Sequence, residues 1–205
     1  INEEVFSKLI LKKILRENGK YGTNKYGKGK RIVIDFSCPN IGKPMHVGHI
    51  RSTIIGDVLA RILESCGYRV IRFNYLGDSG THIGKLMAAM ELWGKATNER
   101  KIMELYVRFH AEAEKNPDFE KKAQDKLLLL ENGDKKLIAL WRKIKKVSMT
   151  GFKKNYKMLG IRFDEYSGES LFGKRAKEIA NFMLKRDIAF EKDGAIAISP
   201  SLYFS

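Results

Sequence analysis

Two histidines spaced three residues apart mark the part of the chain where side chains could do chemistry. His46 and His49 flank Gly48 in the stretch SCPNIGKPMHVGHIRS, and Lys43 precedes them in a loop with two prolines. Because residues at i and i+3 share one helix face, both imidazoles can reach one ligand. A helix N-terminus adds free N–H groups and partial positive charge, while glycine lets a bulky group approach. The pattern predicts a triphosphate-binding site. Its preorganised hydrogen-bond donors would stabilise the negative charge that develops when the α-phosphate reacts.

The histidine pair has two other interpretations. The first is two surface histidines without a ligand, and the position of the pair after a strand and beside Lys43 favours phosphate binding instead. The second is half of a zinc site, but no Cys or His pair with ligand spacing exists elsewhere, so we expect no metal site. The two cysteines are too few for a disulfide framework. We expect reduced thiols, Cys38 in a loop and Cys66 in a helix core.

A strand–helix–strand pattern must position the histidines. The apolar run at 31–36 predicts a buried strand, residues 46–66 have helical periodicity, and residues 69–76 predict a second strand. This order predicts a parallel sheet with a right-handed crossover. The loops at 37–49 and 77–84 follow the two strands, so both should lie at the sheet edge where such folds bind ligands. On the predicted helix we place one apolar face, formed by Ile50, Ile54, Ile55, Val58, Leu59, Ile62, Leu63 and Cys66.

The rest of the chain is predicted to be mostly helical. Residues 3–17 have a helical apolar stripe, residues 85–159 are helical almost throughout, and residues 161–166 return to the sheet. Another helix precedes a β-hairpin that turns at Asp193-Gly194. The fold class is therefore α/β, a Rossmann-like parallel sheet with a helical insertion. We divide it into a helix and linker (1–30), a first half of the core (31–94), the insertion (95–159) and the start of a second half (160–205).

The composition is strongly basic. Net charge is +15, from 39 Lys plus Arg against 24 Asp plus Glu, which favours a polyanionic partner or reflects a lysine-rich solvated surface. We read the basic residues of the 135–157 helix as such a solvated face rather than as contacts with RNA. No run of 18 apolar residues and no signal-peptide pattern occur. We therefore expect an intracellular protein without a membrane span.

The stretch SCPNIGKPMHVGHIRSTIIGD closely resembles the first signature of class I aminoacyl-tRNA synthetases, and more narrowly that of the arginyl-tRNA synthetases. The similarity continues through GYRVIRFNYLGDSGTHIG, YSGES and the EKDGAIAI hairpin, over most of residues 31–200. Three positions depart from the family pattern: Cys38 replaces a serine, Ser79 a tryptophan and His82 a glutamine. The second class signature, Lys-Met-Ser-Lys-Ser, is absent. We therefore expect that these 205 residues alone do not complete aminoacylation.

The resemblance implies a reaction. Arginine and Mg-ATP would form arginyl-adenylate and pyrophosphate, and the arginyl group would pass to the terminal adenosine of tRNA(Arg). ATP with Mg²⁺ is a substrate here, no tightly bound cofactor is implied, and a cytoplasmic monomer is favoured. His46, His49 and Lys43 would be the catalytic residues, binding the ATP phosphates together with Gly48.

The resemblance also implies an arginine pocket. Asn40 would meet the backbone of the amino acid. Asp78 is a further candidate, although it equally fits a turn aspartate between glycines. Tyr203, in the segment Ser-Leu-Tyr, resembles a pocket tyrosine of the family. The whole predicted pocket is Asp35, Cys38, Pro39, Asn40, His49, Asp78 and Tyr203.

Two alternative functions stay open from the sequence. The chain could be a nucleotidyltransferase that uses the same histidine motif on a small metabolite. It could also be a non-catalytic, synthetase-like module that only binds RNA. Arg51, next to the motif, fits either a site residue or a helix residue in a structural ion pair.

Overall fold

The computed structural model describes residues 2–192 and 195–198. Helices and strands alternate in the first part of the chain, four successive helices follow the second strand, and the alternation resumes with the third strand, the last helix and the fourth strand. In chain order the elements are α1 (Glu3–Glu17), β1 (Arg31–Asp35), α2 (Val47–Ser65), β2 (Arg69–Leu76), α3 (Thr81–Trp93), α4 (Glu99–Ala113), α5 (Asp118–Glu131), α6 (Lys135–Leu159), β3 (Glu165–Gly168), α7 (Gly173–Lys185), β4 (Ala189–Lys192) and β5 (Ala195–Ile198).

A three-stranded parallel sheet carries the predicted crossover. The strand order is β1-β2-β3, and β1 pairs with β2 from Arg31↔Arg69 to Asp35↔Phe73. The predicted return to the sheet at 161–166 is confirmed, although the strand itself begins at Glu165. The antiparallel pairing of β4 with β5 confirms the hairpin, while its turn and Tyr203 lie outside the described residues. The α/β, Rossmann-like prediction is therefore confirmed.

The predicted burial of β1 is wrong. Its residues alternate between exposed and half-buried, and Val33 is 60% exposed. The physical reason is position: β1 lies at the edge of the described sheet and pairs only with β2. A continuous apolar run is typical of a strand that is buried on both faces, but the described elements cover β1 only in part.

The predicted packing face of α2 is also wrong. Ile54, Ile55, Val58, Leu59 and Ile62 are exposed, and the buried positions are the small or polar ones, Thr53, Gly56, Asp57 and Ala60. One reason is close approach, since a Cβ at position 56 would overlap the ring of Phe36. The other reason is a buried ion cluster, in which Arg72 of β2 donates to Glu64 and lies 3.5 Å from Asp57.

The largest cluster of buried hydrophobic residues lies among the four central helices and reaches the sheet at Leu76, the last residue of β2. Ile83 and Leu86 of α3, Ile102 and Phe109 of α4, and Phe152 of α6 are all buried there. Residues 81–84, predicted as loop, are the first turn of α3, because Ile83 anchors that turn in the core. The loop after β2 is therefore only residues 77–80, and the core helices hold it directly.

The remaining predictions concern α1, the cysteines and the membrane. α1 is confirmed as a helix, but none of its residues is buried. Both cysteines are free thiols, and Cys38 lies in a loop as predicted. Cys66 is not in a helix core but half-buried at the end of α2, where the Asn24 side chain donates to its sulfur at 3.5 Å. No helix in the described part of the chain is long and apolar enough to cross a membrane.

Candidate functional site

Two loops meet beyond the carboxyl ends of β1 and β2. The N–H of Gly77 donates to the carbonyl of Pro39 at 3.2 Å, and that of Ile41 donates to the carbonyl of Gly77 at 3.0 Å. Asn40 and Gly77 thus form a short parallel bridge that extends the strand pairing. A Cβ at position 77 would overlap the Asn40 side-chain oxygen, so only glycine allows this approach. The predicted meeting of the two loops at one sheet edge is confirmed.

The first loop begins with two strained residues. Ser37 and Cys38 have φ angles of 75° and 46°, and this left-handed conformation costs a non-glycine residue about 1–2 kcal/mol. A hydrogen bond of 2.7 Å between the Ser37 and Tyr156 hydroxyls holds the turn. The Cys38 thiol donates to Asp35 Oδ1 at 3.4 Å, and the Tyr75 N–H donates to the same oxygen at 3.0 Å. Burial and the Asp35 charge raise the pKa of Cys38 to about 11, so the thiol stays protonated.

The two histidines cap the N-terminus of α2. The Gly48 N–H donates to His46 Nδ1 at 3.2 Å, and the His46 N–H donates to His49 Nδ1 at 3.3 Å. Because both Nδ1 atoms accept, each neutral ring carries its hydrogen on Nε2. Burial first, then the neighbouring His46 and Lys43, lower the pKa of His49. The cap therefore leaves two Nε2–H donors at a helix start whose first turn has no acidic residue.

The absence of a side chain at Gly48 leaves space for the His46 ring in this cap. A Cβ at position 48 would lie 3.0 Å from Cε1 and 3.2 Å from Nδ1 of His46. A side chain there would thus crowd the ring that accepts the capping hydrogen bond. The absent side chain leaves the His46 ring in place and keeps the helix start open to an approaching group.

The Lys43 side chain contacts an aromatic ring of the helical region. Its amino group lies 4.8 Å from the ring centre of Tyr106 on α4, and a contact of this kind contributes about 0.5–1 kcal/mol. Its charge helps to lower the pKa of His49 and of His82, although burial is the larger cause at both histidines. Lys43 therefore lies between the histidine cap and the helical region.

Asp78, from the second loop, has its carboxylate inside the protein. The side chain is fully buried and accepts from the N–H and the hydroxyl of Ser170, both at 2.8 Å. Lys145 of α6 donates to the same carboxylate at 2.6 Å, and the indole N–H of Trp141 donates to the Asp78 carbonyl at 2.8 Å. Asp78 thus joins the loop to α6 and to the turn after β3.

One face of α6 contacts both loops. Besides Trp141 and Lys145, Ser148 accepts from the N–H of Gly42 at 2.9 Å, and Tyr156 reaches the first loop. These four residues follow helical spacing on a single face. From the sequence we predicted a helix here but assigned no site role to any of these four residues. The available signal was polar residues that recur at helical spacing inside an apolar stripe.

The structure brings most of the predicted site residues to one edge of the sheet. Arg51 is exposed on α2 and pairs with no carboxylate among the described residues. No three His, Cys, Asp or Glu side chains cluster as a metal site in residues 2–192 and 195–198. Tyr203 lies outside those ranges. The residues around the joined loops are Asp35, Cys38, Pro39, Asn40, Lys43, His46, Gly48, His49 and Asp78.

Comparison with known proteins gives a consistent family match. A family model described as "tRNA synthetases class I (R), catalytic domain" matches residues 10–203. The arginine–tRNA ligase of Halothermothrix orenii is 42% identical over 200 residues, which are 95% of this chain and 35% of that protein. That of Clostridium perfringens is 44% identical over 200 residues, again 95% of this chain and 35% of that protein. The chain thus spans about a third of the length of these relatives.

Solved structures agree with the sequence matches. The arginyl-tRNA synthetase of Plasmodium falciparum superposes with a TM-score of 0.64 at 28% identity, covering 86% of this chain and 30% of that one. The arginyl-tRNA synthetase of Thermus thermophilus gives a TM-score of 0.64 at 24% identity, covering 93% of this chain and 33% of that one. At that lower identity the second likeness concerns the fold alone.

Proposed function

Because the chain belongs to the family of class I arginyl-tRNA synthetase catalytic domains, we propose that it forms the ATP- and arginine-binding part of an arginine–tRNA ligase. In this reaction a carboxylate oxygen of arginine attacks the α-phosphorus of ATP, arginyl-adenylate forms and pyrophosphate leaves. A hydroxyl of the terminal adenosine of tRNA(Arg) then attacks the activated carbonyl, and AMP leaves. The observation that carries the proposal is the pair of Nε2–H donors beside the joined loops.

The histidine cap suits phosphate chemistry. His46 and His49 each use Nδ1 inside the cap, so both Nε2–H groups are free to donate to phosphate oxygens. The lowered pKa keeps His49 a neutral donor at neutral pH. The partial positive charge of the α2 N-terminus and the Lys43 ammonium add electrostatic stabilisation of the charge that builds up as pyrophosphate departs. Mg²⁺ would arrive with the nucleotide as part of the substrate.

Asp35 is the carboxylate that we assign to the arginine side chain. It is exposed, and only its Oδ1 is engaged by described residues, so Oδ2 can accept from a guanidinium. Asp78 is fully buried and already bound to Ser170 and Lys145, which supports a positioning role. Asn40, half-buried at the loop bridge, would meet the amino-acid backbone.

Three residues of the predicted pocket keep simpler roles in this proposal. Pro39 is buried, and its carbonyl holds the loop bridge, so it shapes the pocket floor. Cys38 is exposed beside Asp35 and would line the pocket as a protonated thiol. His49 would lie between the two ligands. Tyr203 remains a candidate from the family resemblance alone.

The proposal is tested by calorimetric titration of arginine and of a non-hydrolysable ATP analogue into the chain. Replacing both histidines (His46→Ala/His49→Ala) should weaken nucleotide binding at least about tenfold, because each donor to a charged group contributes about 1.5–3 kcal/mol. Asp35→Asn should instead weaken arginine binding and leave the nucleotide nearly unaffected, so each variant is the control for the other. Lysine, which lacks the planar fork of arginine, should bind far more weakly. Nucleotide affinity unchanged in the double variant would overturn the assignment.

A further inference from the structure

A stripe of basic residues runs along the outer side of α6. This helix has nine basic and no acidic residues among 25, whereas each of the other six described helices contains at least one acidic residue. At 3.6 residues per turn, eight of the nine fall within an arc of about 120°, and all eight are exposed. We call them the α6 basic ridge: Lys135, Lys136, Arg142, Lys143, Lys146, Lys153, Lys154 and Lys157.

The charge of the ridge is not neutralised within the protein. In the described ranges no carboxylate lies within ion-pair distance of any of the eight residues, and the ninth basic residue, Lys145, points inward to Asp78. Lys153 lies over the Tyr166 ring at 5.7 Å, and Glu99 is near Lys154 but forms no ion pair with it. Like charges at i+3 and i+4 repel along a helix. A bound polyanion would relieve that repulsion.

The shape and chemistry of the ridge fit a nucleic-acid backbone. Twenty-five residues extend about 37 Å at 1.5 Å per residue, so the ridge is a linear row of cations. No large apolar side chain interrupts this arc, which argues against insertion into a membrane interface. Lysines contact phosphates without reading bases, so the expected binding is to the backbone.

The ridge lies on the opposite side of α6 from its loop contacts. Trp141, Lys145, Ser148 and Tyr156 hold the two loops. An α-helix is about 10–12 Å across, so a backbone on the ridge would pass about one helix diameter from the joined loops. That is where the acceptor end of a tRNA must arrive. We propose that the α6 basic ridge binds the phosphate backbone of tRNA; this inference rests on the proposed function and names a surface for its third substrate.

The test compares two fourfold variants of equal charge. The ridge variant is Lys136→Gln/Lys143→Gln/Lys146→Gln/Lys157→Gln, and the control removes four scattered, exposed lysines, Lys13→Gln/Lys95→Gln/Lys121→Gln/Lys185→Gln. Fluorescence anisotropy measures the affinity of the chain for a labelled tRNA(Arg) transcript over a salt series. The ridge variant should bind at least about tenfold more weakly, and its salt slope should fall by about 3, since each phosphate contact contributes about 0.7–0.9. The control should change both quantities much less.

Separate measurements test whether the ridge variant is folded and whether the ridge binds something other than tRNA. The ridge variant should unfold at the same or a higher urea concentration than the parent, because repulsion along α6 is relieved. Equal losses of tRNA affinity in both variants, or binding of vesicles with 30% phosphatidylserine in preference to tRNA, would overturn the ridge assignment. If ATP and arginine still bind in those cases, the proposed function stands. If neither ATP nor arginine binds but only the ridge variant loses affinity for tRNA, the proposed function fails and the assignment of the ridge to tRNA binding stands.

Discussion

Replacing Tyr156 with phenylalanine removes one oxygen atom from between the first loop and strand β2. In the buried network Asn74 Nδ2 donates to the Tyr156 hydroxyl at 3.0 Å, and that hydroxyl shares a hydrogen bond of 2.7 Å with the Ser37 hydroxyl. Tyr156→Phe leaves a buried amide and a buried hydroxyl without partners, each worth about 1–3 kcal/mol. We therefore expect the free energy of unfolding to fall by about 2–6 kcal/mol. The left-handed turn at Ser37, φ 75°, should relax with it.

Urea unfolding and hydrogen exchange of the loop amides measure the two effects. Tyr166→Phe is the matched control, because it deletes the same atom from a tyrosine whose hydroxyl makes no hydrogen bond among the described residues. The control should change the free energy of unfolding by less than about 0.5 kcal/mol. Faster exchange at residues 40–42 in Tyr156→Phe alone would show that α6 positions the first loop. Equal effects of the two variants would refute that reasoning.

Three further predictions concern Lys145, Cys38 and His49. Lys145→Met should lower the free energy of unfolding, measured in urea, by about 3 kcal/mol, because the buried Asp78 carboxylate loses its positively charged partner. With its pKa at about 11, the Cys38 thiol should react with iodoacetamide at pH 8 at least about tenfold more slowly than free cysteine, and Asp35→Asn should speed the reaction. The pKa of His49 is below 6.5 in the folded state, so the folded chain binds that proton less readily than the unfolded chain. Its contribution to stability is therefore present above about pH 6.5 and lost on acidification, and a ring titration by NMR with a midpoint at or above 6.5 would contradict this.

The sequence predicted the crossover because strand and helix periods are local properties. It failed where packing depends on partners that are distant in the chain. Hydrophobic periodicity placed the apolar face of α2 inward, but the sheet side is occupied by Arg72, which needs the carboxylates of Asp57 and Glu64 beside it. A buried arginine on β2 therefore selects the polar face of the helix. No window of residues around α2 alone contains that information.

The candidate site divides in the same way. The position of the histidine pair is local, since His46 and His49 lie at the first turn of α2, and so the sequence was sufficient to place both at one helix start. The fixation of the loops is not local: Asp78 and Lys145 are 67 residues apart, and Ser37 and Tyr156 are 119 apart. A polar residue at helical spacing in an apolar stripe signals that some partner exists, but not which one.

In α6, the angular position of each residue around the helix axis indicates its role better than its polarity alone. Around its axis the basic ridge occupies one sector, while the apolar core residues such as Ile144 and Phe152 share the other side with the loop contacts through Lys145 and Ser148. A count of basic residues mixes the inward Lys145 with the eight outward residues and so suggests an undifferentiated solvated surface. Separated by angle, the same residues fall into one cation with a buried carboxylate partner and eight without any among the described residues. Because the two sets lie on opposite sides of one rigid rod, substitutions on the ridge should change RNA affinity without loosening the loops, and substitutions at Ser148 should do the reverse.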